Sequence, residues 1–281
     1  MDLDRITHPL RLAKGSHQPG SGKGCAMNVI SYINGDTHIT DFPATAARPL
    51  AAFVQLCNDL LAGPDGYLSP ESSVLALELG WQTVGTTDVA DTILHAWIAE
   101  LLTNPTWGVA QYVENSVAAA IFETADLHRA LAAGEMPRIA AWDSADRAAR
   151  AMSATLAGAG LYAVRAAYQS TALVDTGHSE TLDAITGNAL RAHTLATHGT
   201  GAARIVEVTR HVIGSWRRLA QLDDPGHIDQ HRSTTPATHR DRPSTRNRPA
   251  RRYIRHARSD LIEQGSPGAR CSHSSVQRPA L

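Results

Sequence analysis

The sequence predicts an all-α fold: a helical bundle with an irregular N-terminal arm and a disordered C-terminal tail. Apolar residues make up 43% of the 281 residues but aromatic residues only 5%, so a core would consist of alanine with leucine, isoleucine and valine. Apolar residues recur at spacings of three and four, as in amphipathic helices, and not in alternating runs. We divide the chain into an arm (1–24), a helical domain (25–222) and a basic tail (223–281).

The arm contains a glycine-rich run, Gly20–Gly24, that resembles part of a phosphate-binding loop. That loop requires G-x-x-x-x-G-K followed by Ser or Thr. Here His17 stands five positions before Gly22, and Gly24 replaces the hydroxyl residue that would hold magnesium. We therefore interpret the run as a solvated loop.

Capping and breaking residues delimit the predicted helices. Ser69 is placed to cap a helix that Pro70 opens, and Asn104-Pro105 breaks another. Thr86–Asp88 form an N-cap cluster, and Asp143 is placed to cap a long alanine-rich helix. The predicted helices are about 25–33, 50–61, 70–80, 88–103, 106–133, 144–174, 179–197 and 204–222. Short links between them favour packing of neighbours in an antiparallel bundle of seven or eight helices.

Cysteine content and hydropathy indicate a cytoplasmic protein. The three cysteines, Cys25, Cys57 and Cys271, are an odd number without a dense pattern, which argues against a disulfide-stapled secreted domain. The first residues lack the apolar segment of a signal peptide, and no run of about 18 apolar residues would span a membrane.

A possible metal site is the first candidate for chemistry. His17, Cys25, His38 and Asp41 have side chains that bind zinc, in the order H-x7-C-x12-H-x2-D. A glycine-rich segment would gain folding free energy from such a structural zinc ion. In the alternative interpretation, Cys25 is a small buried residue and His17 forms local hydrogen bonds.

A reactive cysteine is a second candidate. Cys25 stands where a helix begins, which lowers a thiol pKa, and His17 or His38 would be the base. No third, orienting residue is evident. The histidines of the C-terminal half, by contrast, form no metal motif, so we interpret them as solvated or locally bonded; they are His178, His193, His198 and His211.

The tail differs in charge from the rest of the chain. From Pro225 onward it has 11 Arg, no Lys and four acidic residues, a formal charge of +7, whereas Met1–Asp224 has 15 basic and 23 acidic residues, a charge of −8. We expect residues 232–258 to contact nucleic acid non-specifically through phosphates, or else to be a solubilising tail without a partner. The candidate contacts are Arg246, Arg248, Arg251, Arg252 and Arg255.

The N-terminal motifs resemble those of a known family. They comprise G-x-H at Gly15–His17, G-C-A-M at Gly24–Met27, T-D-x-P at Thr40–Pro43 and Asn58-Asp59. In this order they resemble a family of uncharacterised proteins common in high-GC Gram-positive bacteria and their phages, and the resemblance extends to Trp107. It implies no activity. Where the family leads us to expect an acidic residue after Met27, this chain has Asn28.

The sequence alone leaves three functions open. We favour a non-enzymatic helical binding or scaffolding protein, because no catalytic constellation is evident. The alternatives are an enzyme or metal-stabilised domain that uses His17, Cys25, His38 and Asp41, and an accessory nucleic-acid binder that acts through the tail.

Overall fold

The computed structural model describes residues 11–15, 22–174, 178–197 and 201–222. Within these residues there are nine α-helices, two short 3₁₀ turns (Val109–Tyr112 and Ala172–Val174) and no strand, which confirms the all-α prediction. The helices are α1 (Ala26–Asn34), α2 (Arg48–Leu61), α3 (Pro70–Gln82), α4 (Asp91–Thr103), α5 (Asn115–Ala132), α6 (Ile139–Ser153), α7 (Gly158–Thr171), α8 (His178–Ala196) and α9 (Gly201–Leu219). The predicted tail and most of the predicted arm lie outside the described residues.

Two helix ends follow the predicted signals. The Ser69 hydroxyl accepts a hydrogen bond from the Ser72 amide at 3.2 Å, and Pro70 occupies the first position of α3, where its missing N–H is no loss. Gly35 ends α1 with a left-handed backbone, φ 79°, which an L-residue with a side chain rarely adopts.

Three predicted boundaries are wrong. Residues 106–133 do not form one helix, because a 3₁₀ turn ends at Tyr112 and α5 begins only at Asn115. Residues 144–174 are two helices, α6 and α7, and the left-handed backbone of Gly158, φ 60°, lies at the turn between them. Thr86 does not cap α4. Its hydroxyl accepts from the Ala47 amide and donates to the Thr83 carbonyl, while Ala90 is the N-cap.

Two tryptophans join α9 to the centre of the bundle. Trp97 of α4 is fully buried and meets Trp216 of α9 edge-to-face, with ring centroids 5.3 Å apart. The Trp97 indole donates to the Val212 carbonyl at 3.2 Å, and the Trp216 indole donates to the Thr86 carbonyl at 3.0 Å. Each indole N–H therefore has the partner that its burial requires.

Helix packing combines neighbours with a few distant pairs. The largest contacts are between consecutive helices, α4 with α5, α6 with α7 and α7 with α8, as short links favour. Helix α2 adds distant contacts, because it packs against α8 and α9. In the contact with α8, Arg48 of α2 pairs with Asp183 at 2.7 Å. Among the described residues, none of the helices combines the length and the apolar character that crossing a bilayer requires.

Candidate functional site

Three of the N-terminal motif residues meet at the start of α1. The Cys25 thiol donates to Oδ1 of Asp41 at 3.3 Å, and the Asn28 side-chain amide donates to the same oxygen at 2.9 Å. The amide oxygen of Asn28 in turn accepts the Cys25 backbone N–H at 3.0 Å. Asn28 therefore uses both ends of its amide, which an acidic residue at this position would be unable to do because a carboxylate only accepts.

Asn58 and Asp59 of α2 attach the arm to this cluster. The Asn58 side chain accepts from the Ala26 amide at 3.1 Å and donates to the Ala13 carbonyl at 2.9 Å. Asp59 accepts the backbone N–H of Gly15 at 2.8 Å. These bonds hold residues 11–15 against α2, so the motif residues that the sequence brings to attention act together as a structural clamp.

The Cys25 thiol is protonated in this arrangement. Burial, with a smaller contribution from the negative charge of Asp41, raises its pKa to about 12. Because the thiolate is the nucleophile and the metal ligand, the environment of Cys25 favours a hydrogen-bond donor over either chemical role. Cys57 is also buried; its sulfur lies 3.0 Å from the Thr209 hydroxyl, and burial raises its pKa to about 12.

The four predicted metal ligands are only partly brought together. Cys25 and Asp41 are in contact, whereas His38 is exposed and His17 lies outside the described residues. In the part of the chain that the structure describes, no three His, Cys, Asp or Glu residues lie close enough to hold a metal ion. The site that includes His17 stays a prediction.

Buried histidines form two networks that sequence reasoning missed. The His95 and His128 rings stack with Nδ1 atoms 2.9 Å apart, and Nε2 of His128 lies 2.9 Å from the Ser170 hydroxyl. The Ser170 hydroxyl donates to the Ala167 carbonyl at 2.7 Å, so Nε2 of His128 carries a proton and donates to Ser170. The sequence contains a signal for the burial of His128. This histidine lies three residues after Ala125 and seven after Ile121, which places it on the buried side of α5.

His193 corrects the interpretation of the C-terminal histidines as solvated or locally bonded. Its Nδ1 lies 2.7 Å from the Tyr112 hydroxyl, 81 residues away, and the ring is fully buried. Burial and, less strongly, the charge of Arg204 lower the pKa of His193 to about 3. Burial and, less strongly, His95 lower the pKa of His128 to about 3. Both rings therefore stay neutral at ordinary pH.

The surface of α1 to α5 is acidic. Between Gly24 and His128 the sequence has one arginine, Arg48, no lysine and twelve acidic residues. Arg48 is already neutralised by Asp183 of α8. On α3 the exposed side includes two large apolar side chains, Val74 and Trp81, with exposed fractions of 66% and 46%.

Two open clefts lie elsewhere on the molecule. One, of about 490 Å³, lies along α6 beside the end of α7; it is lined by Trp142 and by Asp143, Asp146, Arg147 and Arg150. Asp146 and Arg150 pair with each other there at 2.7 Å. The other, of about 340 Å³, lies between α9 and residues 104–107 and is lined by basic and polar side chains.

The predicted nucleic-acid contacts lie outside the described residues: Arg246, Arg248, Arg251, Arg252 and Arg255. We compared the chain with protein-family models, with curated proteins and with solved structures, and none of them matches it.

Proposed function

We propose that this chain is a non-enzymatic binding module that recognises an arginine-rich polypeptide through α3 and the adjoining α1. The observation that carries the proposal is the outer stripe of α3. Glu71, Val74, Glu78 and Trp81 are all exposed, and spacings of three, four and three residues place them on one side of the helix. Exposed apolar side chains bordered by charge of one sign are typical of interaction sites.

Charge complementarity selects a cationic partner for this stripe. Neither Glu71 nor Glu78 forms an ion pair with any residue that the structure describes, and α1 and α3 contain no Lys or Arg. The two carboxylates are seven residues apart, about 10 Å along the helix, so each can bind a separate guanidinium group. Arginine suits the stripe better than lysine, because a guanidinium also stacks on an indole such as Trp81.

The adjoining helix α1 also has exposed apolar area. Its Tyr32 and Ile33 are about half exposed, and α1 packs closely on α3. A Cβ atom on Gly80 of α3 would lie 3.0 Å from the Ile30 side chain, so the two helix backbones approach as closely as this glycine allows. The clamp of Asp41, Asn28 and Asn58 fixes the start of α1 and thus supports the surface.

A binding experiment with the full chain tests the proposal. The probe is a labelled octa-arginine peptide, with octa-lysine as its matched comparison. We expect the double variant Glu71→Gln/Glu78→Gln to weaken octa-arginine binding about fivefold, since two exposed ion pairs are lost. Octa-lysine should bind more weakly and should be insensitive to Trp81→Leu.

The matched control removes two charges elsewhere on the acidic half. Glu114→Gln/Glu123→Gln removes the same number of charges at two exposed positions. Glu114 immediately precedes α5, and Glu123 lies within it. If both double variants weaken the peptide equally, the attraction comes from net charge and the α3 site is wrong. If octa-arginine does not bind at low salt, the proposed function itself is wrong.

Nucleic-acid binding by residues 232–258 is a second candidate, supported by the 11 arginines of the tail. Each phosphate contact contributes about 0.7 to 0.9 to the slope of log K against log salt. Replacing Arg246, Arg248, Arg251, Arg252 and Arg255 by glutamine should therefore lower that slope by roughly 3.5 to 4.5 units. A slope unchanged in this variant would exclude these arginines as the contacts.

Three further predictions concern the family, the cellular location and a bound zinc ion. The resemblance of the N-terminal motifs to the family of high-GC Gram-positive bacteria and their phages stays a prediction. A cytoplasmic location agrees with two buried free thiols, Cys25 and Cys57, among the described residues. A structural zinc ion stays an alternative, and elemental analysis of the purified protein tests it: absence of stoichiometric zinc would exclude it.

A further inference from the structure

A basic cleft lies on the side of α9 that faces the segment after α4. It has a volume of about 340 Å³, within the range of small-molecule sites. Three basic side chains of α9 line it: Arg210, His211 and Arg218. Its opposite wall is formed by residues 104–107, which present polar Asn104 and Thr106. None of these residues belongs to the proposed polypeptide-binding stripe.

Its charge is positive although two carboxylates lie near it, because both already pair with arginines. Glu207, 3.8 Å from His211 Nε2, pairs with Arg204 at 3.0 Å, and Glu100 pairs with Arg218. Nη2 of Arg218 lies 2.6 and 2.8 Å from the two oxygens of Glu100, and the Ser215 hydroxyl donates to Glu100 at 2.5 Å. Glu100 thus positions Arg218 and leaves its other nitrogens available. Arg210 is exposed and forms no ion pair with any residue that the structure describes, so its charge is uncompensated.

Gly214 leaves open space between the two arginines. It stands four residues from each of them, so Arg210 and Arg218 are about 12 Å apart along α9, with the glycine midway. No atom lies within 4 Å of the position that a Cβ on Gly214 would occupy. A glycine inside a helix costs about 1 kcal/mol relative to alanine, and here no packing contact accounts for it.

The opposite wall is held in place before any ligand binds. Nη2 of Arg204 donates to the Thr106 carbonyl at 2.9 Å, which ties residues 104–107 to α9. The Asn104 side chain accepts the Thr106 amide at 2.9 Å and so orders the turn itself. A preorganised pocket of this kind loses little conformational entropy when it binds a ligand.

We propose that this cleft binds the phosphate group of a small phosphorylated molecule, with Arg210 and Arg218 on either side of the oxyanion and Gly214 beneath it. Guanidinium groups match phosphate oxygens in geometry and stay charged at all physiological pH values. The volume of about 340 Å³ matches a small molecule, whereas a nucleic-acid strand would need a groove several nucleotides long.

Calorimetric titration of the full chain in a phosphate-free buffer tests this inference. The probes are inorganic phosphate, pyrophosphate and a short single-stranded oligonucleotide. We expect Arg210→Gln to weaken pyrophosphate binding at least about tenfold, since a charge-assisted hydrogen bond is lost. Gly214→Glu should abolish binding, because it places a negatively charged carboxylate in the open space that the phosphate would occupy. The arginines of residues 225–281 are the same in every variant, so only a difference between variants assigns binding to the cleft.

Two controls separate loss of binding from loss of folding. Gly187→Glu makes the same substitution at a glycine of α8 that also has open space at its Cβ position and lies outside the cleft, so pyrophosphate binding should stay within about twofold of the wild type. Arg147→Gln removes an exposed arginine of the α6 cleft and should have no effect on phosphate. Equal binding by wild type and Gly214→Glu would overturn the inference. If the oligonucleotide binds more tightly than pyrophosphate, and Arg210→Gln abolishes that binding, the ligand of the cleft is nucleic acid and the proposal of a small molecule is wrong.

Discussion

Asp41 is the residue on which the N-terminal clamp depends. One of its oxygens accepts from both the Cys25 thiol and the Asn28 amide. The position of Asn28 also explains the departure from the related motif: the residue here must donate to Asp41 while it accepts from the Cys25 backbone. A carboxylate would repel Asp41 unless one of the two were protonated.

We predict that Asn28→Asp lowers the free energy of unfolding by about 2 kcal/mol at pH 7, because a charge-assisted hydrogen bond becomes a like-charge contact. Part of the loss should be recovered near pH 4, where one carboxyl of the pair is protonated. Urea denaturation measures both values. As a control, Asn115→Asp at the exposed first turn of α5 should be neutral or slightly stabilising. Wild-type stability for Asn28→Asp at pH 7 would refute the role given to this amide.

The buried histidines make stability depend on pH. In the folded protein the pKa values of His128 and His193 are lowered to about 3, whereas an unfolded histidine has a value near 6.5. Below pH 6.5 these two histidines therefore bind protons in the unfolded chain but not in the folded chain. Their stabilising effect is complete above about pH 6.5 and is lost progressively as the pH falls toward 3.

We predict that each of these two histidines contributes a slope of up to about 1.4 kcal/mol per pH unit between pH 6 and pH 4. The free energy of unfolding, measured by urea denaturation at several pH values, should fall accordingly. His193→Phe removes one titrating ring and should flatten the slope, even if it also lowers overall stability. A free energy that is constant from pH 7 to pH 4, or an unchanged slope in His193→Phe, contradicts this assignment.

At the scale of the helices, two glycines have opposite environments. The amide of Gly108 donates to the Asn104 carbonyl at 2.7 Å, and a Cβ at this position would lie 2.6 Å from that same oxygen. Gly214 has open space where its Cβ would be. Backbone atoms cannot move aside as a flexible side chain can, so only Gly108 is required by sterics.

We predict that Gly108→Ala destabilises the protein by at least about 3 kcal/mol, because overpacking against backbone forces the turn apart. The matched Gly214→Ala should stabilise by up to about 1 kcal/mol through helix propensity. Thermal denaturation of the two variants side by side gives the comparison. The geometry at residues 104–108 is wrong if Gly108→Ala unfolds with the wild-type midpoint.

Sequence patterns located helices better than they located helix breaks. Ser69-Pro70 and Asn34-Gly35 act within one turn of the chain, so local reasoning was sufficient for α3 and for the end of α1. Thr86 was misassigned because its hydroxyl bonds to Ala47, 39 residues away. The break between α6 and α7 was missed because alanine-rich sequence continues on both sides of it, and no local signal outweighed helix propensity.

At the scale of the whole molecule, the candidate surfaces depend on which helices the fold makes neighbours. The acidic composition of residues 24–128 can be read from the sequence, but the exposure of Trp81 cannot, because it depends on which helices pack around each tryptophan; Trp97 and Trp107 are buried. The α9 cleft likewise joins Arg210 to Thr106, about a hundred residues apart. Sequence reasoning therefore predicted the fold class and selected Cys25 and Asp41 as candidate metal ligands, while the hydrogen-bonded clamp and both proposed sites required the packing of distant segments.

The tryptophans provide the most direct test of the central claim. All five lie in the described residues, and Trp81 is exposed while Trp97, Trp107, Trp142 and Trp216 are buried. The measurement is the set of five indole N–H resonances of the full chain as octa-arginine is added. We predict that the Trp81 resonance shifts with saturation, that it does so less with octa-lysine, and that the buried four stay in place. A Trp81 resonance that does not move at saturating octa-arginine would contradict recognition of arginine-rich polypeptides by α3.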